Sequence, residues 1–336
     1  MIPFSVSYDD DSRASAWLDD ERLLALIRFR QPAAAGSDPR LCAVDLPELG
    51  GTTTAEVWLS ARPVRAGFAN GVGYASNGEV LFLRFQADEY ASDALQPLTA
   101  MAYRRLFAVA RAQGYPHVLR VWNYLPDINR EVGGLERYRA FCAGRHQVLV
   151  AELAEFETHL PAACAIGTPS VSPLRGRERV GEGGLQIYAL TAREAGVQVE
   201  NPRQVSAFHY PRQYGPRSPS FSRAVLKAWG KRYHLYISGT ASVVGHASRH
   251  SDLMAQLDET LANLDALLDQ SSRQTEAPLR PALLRVYLRP EFDPAPARDR
   301  IAQAFGSAVP LVFLRADICR QELLIEIEGL ATDAAP

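Results

Sequence analysis

The segment from Tyr210 to Arg223 concentrates side chains that bind anions. Its sequence, YPRQYGPRSPSFSR, sets Arg212, Arg217 and Arg223 among tyrosine, serine, glycine and proline residues. Proline and glycine at this density favour a loop over a helix, and a guanidinium group can bind both oxygens of a carboxylate. The segment therefore predicts a loop that offers Arg and Tyr donors to an acidic small molecule. A basic surface loop is the alternative that the residues leave open.

Polar side chains also alternate with apolar ones along two runs near the C-terminus. Residues 311–319, LVFLRADIC, and 323–328, LLIEIE, predict an antiparallel hairpin with a short turn between them. Because side chains alternate between the two faces of a strand, an even-length turn would place Arg315, Cys319 and Glu326 on one surface. The pattern alone favours the simpler alternative, a hairpin with one apolar face and one solvated face.

Hydrophobic periodicity predicts the elements that must position these groups. Apolar residues recur at helical spacing over residues 98–113 and 251–270, with Ser251 as the N-cap of the second helix. Runs rich in β-forming residues predict strands at 55–60, 80–86, 117–124, 233–238 and 283–288. Proline and glycine interrupt the first fifty residues, which predicts irregular structure there.

Two stretches of the chain have similar order and spacing. LRVW at 119–122 is followed by RYRAF at 137–141, and LRVY at 284–287 is followed by RIAQAF at 300–305. The similarity indicates duplication of a strand–helix–strand–helix unit. Chance agreement between short amphipathic stretches is the alternative.

Length favours two domains, because 336 residues exceed the usual size of one hydrophobic core. We expect an N-terminal domain over residues 1–155 and a C-terminal domain over residues 156–336. The segment 168–184, rich in Pro, Ser, Gly and Arg, is either a linker or an ordered functional loop.

Composition narrows the function classes. A net charge of −2 gives no excess of positive charge with which to bind nucleic acid or an anionic membrane, so neither is expected as a partner. The N-terminus lacks the pattern of a secretory signal, and a cytoplasmic location is expected. The cysteines have no CxxC spacing and predict neither a disulfide framework nor a metal site; they are Cys42, Cys142, Cys164 and Cys319. The sequence has no GxGxxG after a strand, no P-loop and no HExxH, so no cofactor is expected.

Several distinctive strings resemble the chorismatase family, some members of which have been labelled pteridine-dependent deoxygenases. They are VWNYLPDIN at 121–129, GLERYRAFCAGR at 134–145, PAACAIGTP at 161–169, SGTASVVGH at 238–246 and RADICRQELLIEIE at 315–328. The resemblance implies an α+β chain of two YjgF/RidA-like domains, each a mixed β-sheet covered by helices, with the active site in the cleft between them. Two such domains fused in one chain favour a monomer.

The resemblance also implies a reaction. Members of the family remove the enolpyruvyl group of chorismate as pyruvate, which requires a neutral acid to protonate the methylene carbon of the enol ether. By resemblance Glu326 is that acid, although strand alternation alone leaves Glu328 as a competitor. Gly239 together with Cys319 resembles the aromatising type, which gives 3-hydroxybenzoate and in some relatives 4-hydroxybenzoate.

Chorismate is a dianion, so its binding site needs cationic and hydroxyl donors. The substrate-binding residues implied by the resemblance and by the loop composition are Arg145, Tyr210, Arg217, Arg223, Gly239, Arg315 and Tyr138. Three alternatives remain open: a hydrolytic chorismatase giving a dihydroxycyclohexadiene carboxylate, a YjgF/RidA-type imine or enamine hydrolase, and a non-catalytic binder of an aromatic acid.

Overall fold

The computed structural model describes residues 2–29, 38–50, 53–87, 95–169 and 184–333. Mixed β-sheets and the helices that cover them confirm the expected α+β class. Residues 170–183, the greater part of the predicted linker or loop, lie outside the described residues. Among the helices of the described residues, none combines the length and the apolar character needed to cross a bilayer.

The described residues up to Ser60 form a sheet, the N-terminal sheet. Its elements are β1 (Phe4–Asp10), α1 (Ala14–Leu18), β2 (Leu23–Phe29), β3 (Leu41–Val44) and β4 (Thr54–Ser60), in the spatial order β1-β4-β2-β3. The prediction of irregular structure before residue 50 is therefore wrong. Pro39 and Pro47 lie in the connections on either side of β3, where they interrupt no strand pairing.

The middle sheet follows in the chain. Its region contains β5 (Arg65–Ala69), β6 (Val72–Ser76), β7 (Val80–Ala87), α2 (Leu95–Ala112), β8 (His117–Pro126), β9 (Glu131–Val132), β10 (Leu135–Glu136), α3 (Arg137–Glu152), β11 (Ala162–Thr168) and β12 (Leu185–Ala192). The strand order is β11-β8-β12-β7-β6-β5, while β9 and β10 form a separate short hairpin. Parallel strands β8 and β11 are joined by α3, and α2 and α3 pack their apolar faces against one side of the sheet.

The C-terminal sheet completes the fold. Its region contains β13 (Val197–Val199), β14 (Ala224–Trp229), β15 (Arg232–Ala241), β16 (Val243–Val244), β17 (Ala247–Ser248), α4 (Leu253–Ser272), β18 (Arg280–Leu288), α5 (Pro294–Phe305), β19 (Leu311–Arg315), β20 (Asp317–Ile318) and β21 (Ile325–Thr332). The strand order is β13-β14-β15-β21-β18-β19. Helix α4 is capped by Asp252, whose carboxylate accepts the Ala255 amide, so the predicted Ser251 cap is one residue too early.

The two larger sheets repeat one topology. In the middle sheet β12 lies between β8 and β7, and in the C-terminal sheet β21 lies between β18 and β15. The parallel unit β8–α3–β11 has its counterpart in β18–α5–β19. These matching orders confirm the duplication that the two similar stretches predict, and they favour it over chance agreement.

The strand pairings also bear on the division into domains. Strands β11 and β12 follow residue 155, yet both pair with β8 of the middle sheet. A division between residues 155 and 156 would separate these strands from their partners. We therefore propose a division between Ala192 and Val197, which keeps β11 and β12 with their partners and leaves only the two-residue strand β20 to cross from one domain to the other sheet.

The predicted C-terminal hairpin is wrong. β19 pairs in parallel with β18, whereas β21 pairs with β15 and β18. The run 311–319 is not one strand, because the chain leaves β19 at Arg315 and then adds β20 to the edge of the middle sheet beside β11. The C-terminal run thereby ties the two sheets together.

Candidate active site

A cleft of about 640 Å³ lies between the two repeats. One wall comes from the β9–β10 hairpin and the start of α3. The opposite wall comes from the loop 204–223, the end of β15 and the segment that joins β20 to β21. The cleft therefore draws side chains from both halves of the chain, in the position that the resemblance implies for an active site.

Glu326 lies at the base of this cleft. Along β21, Ile325 and Ile327 pack into the core under α4 and α5, so Glu326 and Glu328 point to the opposite face, as strand alternation predicts. The side chain of Glu326 is only 4% exposed. Burial and, after it, the negative charge of Glu328 raise the pKa of Glu326 to about 8, against an opposing effect of Arg120. The carboxyl group is therefore largely protonated at neutral pH, as a general acid must be before it acts.

Gly239 makes room for this carboxyl group. It lies in an irregular stretch of β15, where the pairing with β21 shifts register between Ile237 and Thr240. A Cβ atom at position 239 would overlap Oε1 of Glu326. Glycine is needed here for close approach, since any side chain would displace the acid.

Cys319 and Tyr138 line the cleft near Glu326. Burial raises the pKa of the Cys319 thiol, and the charge of Glu326 raises it further. Burial also raises the pKa of Tyr138, which interacts with Cys319 and with Cys142. Both groups are therefore neutral at physiological pH and present a thiol and a phenol to the cleft.

Arg223 and Tyr210 form a hydrogen-bonded pair on the loop side. Nη2 of Arg223 donates to the Tyr210 hydroxyl at 2.7 Å and to the Val205 carbonyl at 2.9 Å. The guanidinium group also packs 5.3 Å from the ring centre of Phe221. Nε of Arg223 is buried and has no hydrogen-bond partner among the described residues. This donor is the type of group that a bound carboxylate would satisfy.

Arg320 is a cleft residue that the sequence analysis missed. Its guanidinium group lies 4.1 Å from the ring centre of Tyr214 and 5.2 Å from that of Tyr210. Nη1 donates to the His246 carbonyl at 2.9 Å and to Ser248 Oγ at 3.0 Å. Its position beside Cys319 in the ADICRQEL string was the available signal, but the hairpin interpretation assigned residues 320–322 to a turn.

Not all of the predicted binding residues reach the cleft. Tyr138, Tyr210, Arg223, Gly239, Cys319 and Glu326 line it, whereas Arg145, Arg217 and Arg315 do not. Arg145 is buried within α3, and its guanidinium carbon lies 4.9 Å from the ring centre of Phe141 and 5.9 Å from that of Phe221. Arg145 therefore packs against Phe221, which itself lines the cleft.

Arg217 and Arg315 are exposed to solvent. Arg315 lies at the end of β19 opposite Leu288, away from Glu326, because the hairpin that would bring the two together does not form. Arg217 belongs to the outer part of the loop. Of the loop residues predicted to bind an anion, only Tyr210 and Arg223, at its buried end, line the cleft.

Comparison with known proteins agrees with this geometry. A family model described as chorismatase FkbO/Hyg5-like, N-terminal, matches residues 56–177. A 3-hydroxybenzoate synthase of Streptomyces hygroscopicus is 35% identical over 291 residues, covering 82% of this chain and 81% of the relative. A chorismatase of Streptomyces rapamycinicus is 32% identical over 328 residues, covering 93% of both chains. A crystal structure of a chorismatase matches with a TM-score of 0.77 at 30% identity, covering 97% of this chain and 98% of the other. The chain therefore belongs to the chorismatase family.

Proposed function

We propose that this protein converts chorismate to pyruvate and 3-hydroxybenzoate, with Glu326 as the general acid. Conversion of chorismate follows from membership of the family, and the aromatic product is supported by the relative named 3-hydroxybenzoate synthase. The observation that carries the mechanism is the buried carboxyl group of Glu326 at the base of the cleft, with a pKa of about 8.

The reaction begins with proton transfer from Glu326 to the methylene carbon of the enolpyruvyl group. The new C–H bond leaves an oxocarbenium-like cation, which water or an oxygen of the ring captures before pyruvate departs. A hydroxybenzoic acid and pyruvic acid together contain the atoms of chorismic acid, so the aromatising route consumes no oxidant or reductant. A neutral donor next to the enol ether is the main requirement.

The substrate carboxylates would bind to Arg223 and Arg320. Arg223 has a buried Nε–H without a partner among the described residues, and Tyr210 is fixed beside it by a 2.7 Å hydrogen bond. Arg320 lies over the ring of Tyr214, and its guanidinium group is the planar donor array that suits a carboxylate. These cations lie on the loop side of the cleft, and Glu326 lies at its base. The carboxylates of chorismate would therefore bind apart from the group that donates the proton to its enol ether.

Gly239 and Cys319 would direct the product. The glycine leaves Glu326 close to the backbone of β15, and the neutral thiol of Cys319 lies within the same part of the cleft. In the proposed reaction this arrangement favours loss of pyruvate with formation of the aromatic ring. Release of a dihydroxycyclohexadiene carboxylate would instead identify a hydrolytic enzyme.

The proposal is tested by incubating the purified protein with chorismate without added cofactor. Pyruvate is measured by coupling to lactate dehydrogenase, and the ring product is identified by chromatography. We expect pyruvate and 3-hydroxybenzoate in equal amounts. Glu79→Gln, the same chemical change on an exposed turn, serves as the matched control for Glu326→Gln. Folded protein that releases no pyruvate from chorismate would reject the proposal.

A further inference from the structure

Glu328 is the second carboxylate on the inner face of β21, and its surroundings differ from those of Glu326. It is 2% exposed, forms an ion pair with Arg120 of β8, and accepts Arg285 Nη1 at 3.0 Å and the Tyr287 hydroxyl at 2.6 Å. Among the described residues no hydrogen-bond donor reaches the carboxyl group of Glu326. Two guanidinium groups and one phenol therefore donate to the Glu328 carboxyl group, an arrangement that favours a negative charge over a neutral one.

Arg285 connects this carboxylate to the N-terminal sheet. Its Nη2 donates to Oε2 of Glu56 in β4 at 2.7 Å, and its Nη1 also donates to the hydroxyl groups of Tyr124 and Tyr188. Oε1 of Glu56 in turn accepts the indole N–H of Trp58 at 2.8 Å. The network therefore runs from the N-terminal sheet through both repeats to the position next to the acid.

The formal charges of this network cancel. Glu56 and Glu328 are balanced by Arg120 and Arg285, all of them at most 2% exposed. Ionisation of Glu326 would add a third carboxylate beside this buried network, whose two cations are already balanced by Glu56 and Glu328. The network is electrically neutral only while Glu326 keeps its proton.

The other titratable groups around Glu326 and Glu328 do not change this balance. They come from several elements around the inner face of β21, and burial raises the pKa of every one of them: Tyr8 of β1, Tyr124 of β8, Cys164 of β11, Tyr188 of β12, Tyr236 of β15, Tyr287 of β18 and Cys319 after β20. They remain neutral over the working pH range.

We propose that Glu328 is a positioning residue whose charge keeps Glu326 protonated, and that Arg120, Arg285 and Glu56 hold Glu328 in place and set the strength of its effect. The N-terminal sheet, which contributes no side chain to the cleft wall among the described residues, thereby takes part in setting the pH range of catalysis. This inference rests on the proposed role of Glu326 as the acid.

The test compares the dependence of kcat/KM on pH in wild type and three variants. In wild type we expect activity to fall as pH rises through about 8, because the acid loses its proton. Glu328→Gln removes the neighbouring anion and should move this fall to lower pH by about 1 unit. Arg120→Gln removes the cation that opposes the effect and should move it to higher pH.

Glu56→Gln is the milder variant, since the amide is isosteric and its one oxygen can still accept from Arg285, although the amide NH2 group then faces Trp58. It removes a more distant anion and should move the fall to lower pH by less than Glu328→Gln does. Displacements of opposite sign are an effect that loss of structure does not produce. If Glu328→Gln fails to fold, as judged by circular dichroism, the opposite displacements of Arg120→Gln and Glu56→Gln carry the test.

A second measurement separates this inference from the proposed function. The Glu326 carboxyl can be titrated by NMR in protein labelled with ¹³C-carboxyl glutamate, with its signal assigned by its loss in Glu326→Gln. If wild type releases no pyruvate, the proposed function fails, and the titration still decides the inference. Midpoints that are unchanged in the folded variants, or displaced in the same direction by Glu328→Gln and Arg120→Gln, would overturn it.

Discussion

Strands β12 and β21 occupy the same place in the two repeats, yet they carry different chemistry. The second residue of each strand is Gln186 in β12 and Glu326 in β21, paired across the sheet with Tyr124 and Tyr287 respectively. Nε2 of Gln186 donates to the Ala43 carbonyl of β3 at 2.9 Å. The N-terminal sheet therefore covers this position of the first repeat, whereas the equivalent position of the second repeat opens into the cleft.

The difference shows what the duplication retained and what it changed. Both repeats keep the parallel unit and the central antiparallel strand, which build the framework. The fourth residue of each strand, Tyr188 in β12 and Glu328 in β21, contributes to one shared buried network through Arg285. A carboxyl group that lines the cleft is confined to one repeat, because the N-terminal sheet fills the corresponding space in the other.

Glu326→Gln removes the main chemical difference between the two strands, because it gives β21 the residue type that β12 has. We expect turnover of chorismate to fall by about 100- to 10,000-fold, as for loss of a general acid. The fold should persist, since an amide of the same shape is already accommodated in β12. Measurement of kcat together with the melting temperature checks both statements, and a folded variant with wild-type kcat would remove Glu326 from the mechanism.

The cations of the cleft give the next largest effect. Arg223→Ala should weaken chorismate binding by roughly 2–5 kcal/mol, the range for loss of one partner of a buried charge pair. Arg217→Ala, in the same loop but exposed, should bind chorismate as wild type does. Calorimetric titration in the inactive Glu326→Gln background measures both. Equal affinities of the two variants would show that the buried end of the loop has no special part in binding.

Gly239→Ala tests whether the Glu326 carboxyl group needs the space that the absent side chain at position 239 leaves beside β15. The pairing of β7 with β12 continues without a register shift, so this feature belongs to the second repeat alone. The added methyl group must displace the Glu326 carboxyl, and misplacement of a reacting group by about 1 Å can cost about 100-fold in rate. We expect a lower kcat and less 3-hydroxybenzoate per pyruvate. An unchanged kcat and product ratio would mean that the carboxyl group has room elsewhere.

Local sequence pattern was sufficient to predict which side chains share a face of a single strand. Alternation along 323–328 correctly places Glu326 and Glu328 on one face, because a strand's side-chain period is independent of its partners. The choice of partners was not predictable: residues 311–319 have the composition of one strand, but they divide between two sheets. Arg315 was misplaced for that reason alone.

The charge network also could not be predicted from local sequence patterns. Glu56 and Arg285 are separated by 229 residues, and Arg120 and Glu328 by 208. Each residue, taken singly, fits a solvated strand face equally well. Burial of the four together depends on how the sheets pack, which no spacing in the chain encodes.

The last prediction concerns stability rather than turnover. The pKa of Glu326 rises from its ordinary value of 4.5 to about 8 in the folded protein. Between these values the unfolded chain releases the proton and the folded chain retains it, so the free energy of unfolding of wild type decreases as pH rises. In Glu326→Gln the free energy of unfolding does not undergo this decrease. The variant should therefore be more stable than wild type at pH 8 by up to a few kcal/mol, with a smaller difference near pH 5. Urea denaturation at the two pH values measures it. Gln186→Glu should instead be less stable than wild type at pH 8, because it brings a carboxyl group against the Ala43 carbonyl. Equal stability differences at both pH values would mean that neither position changes the pKa of a carboxyl group.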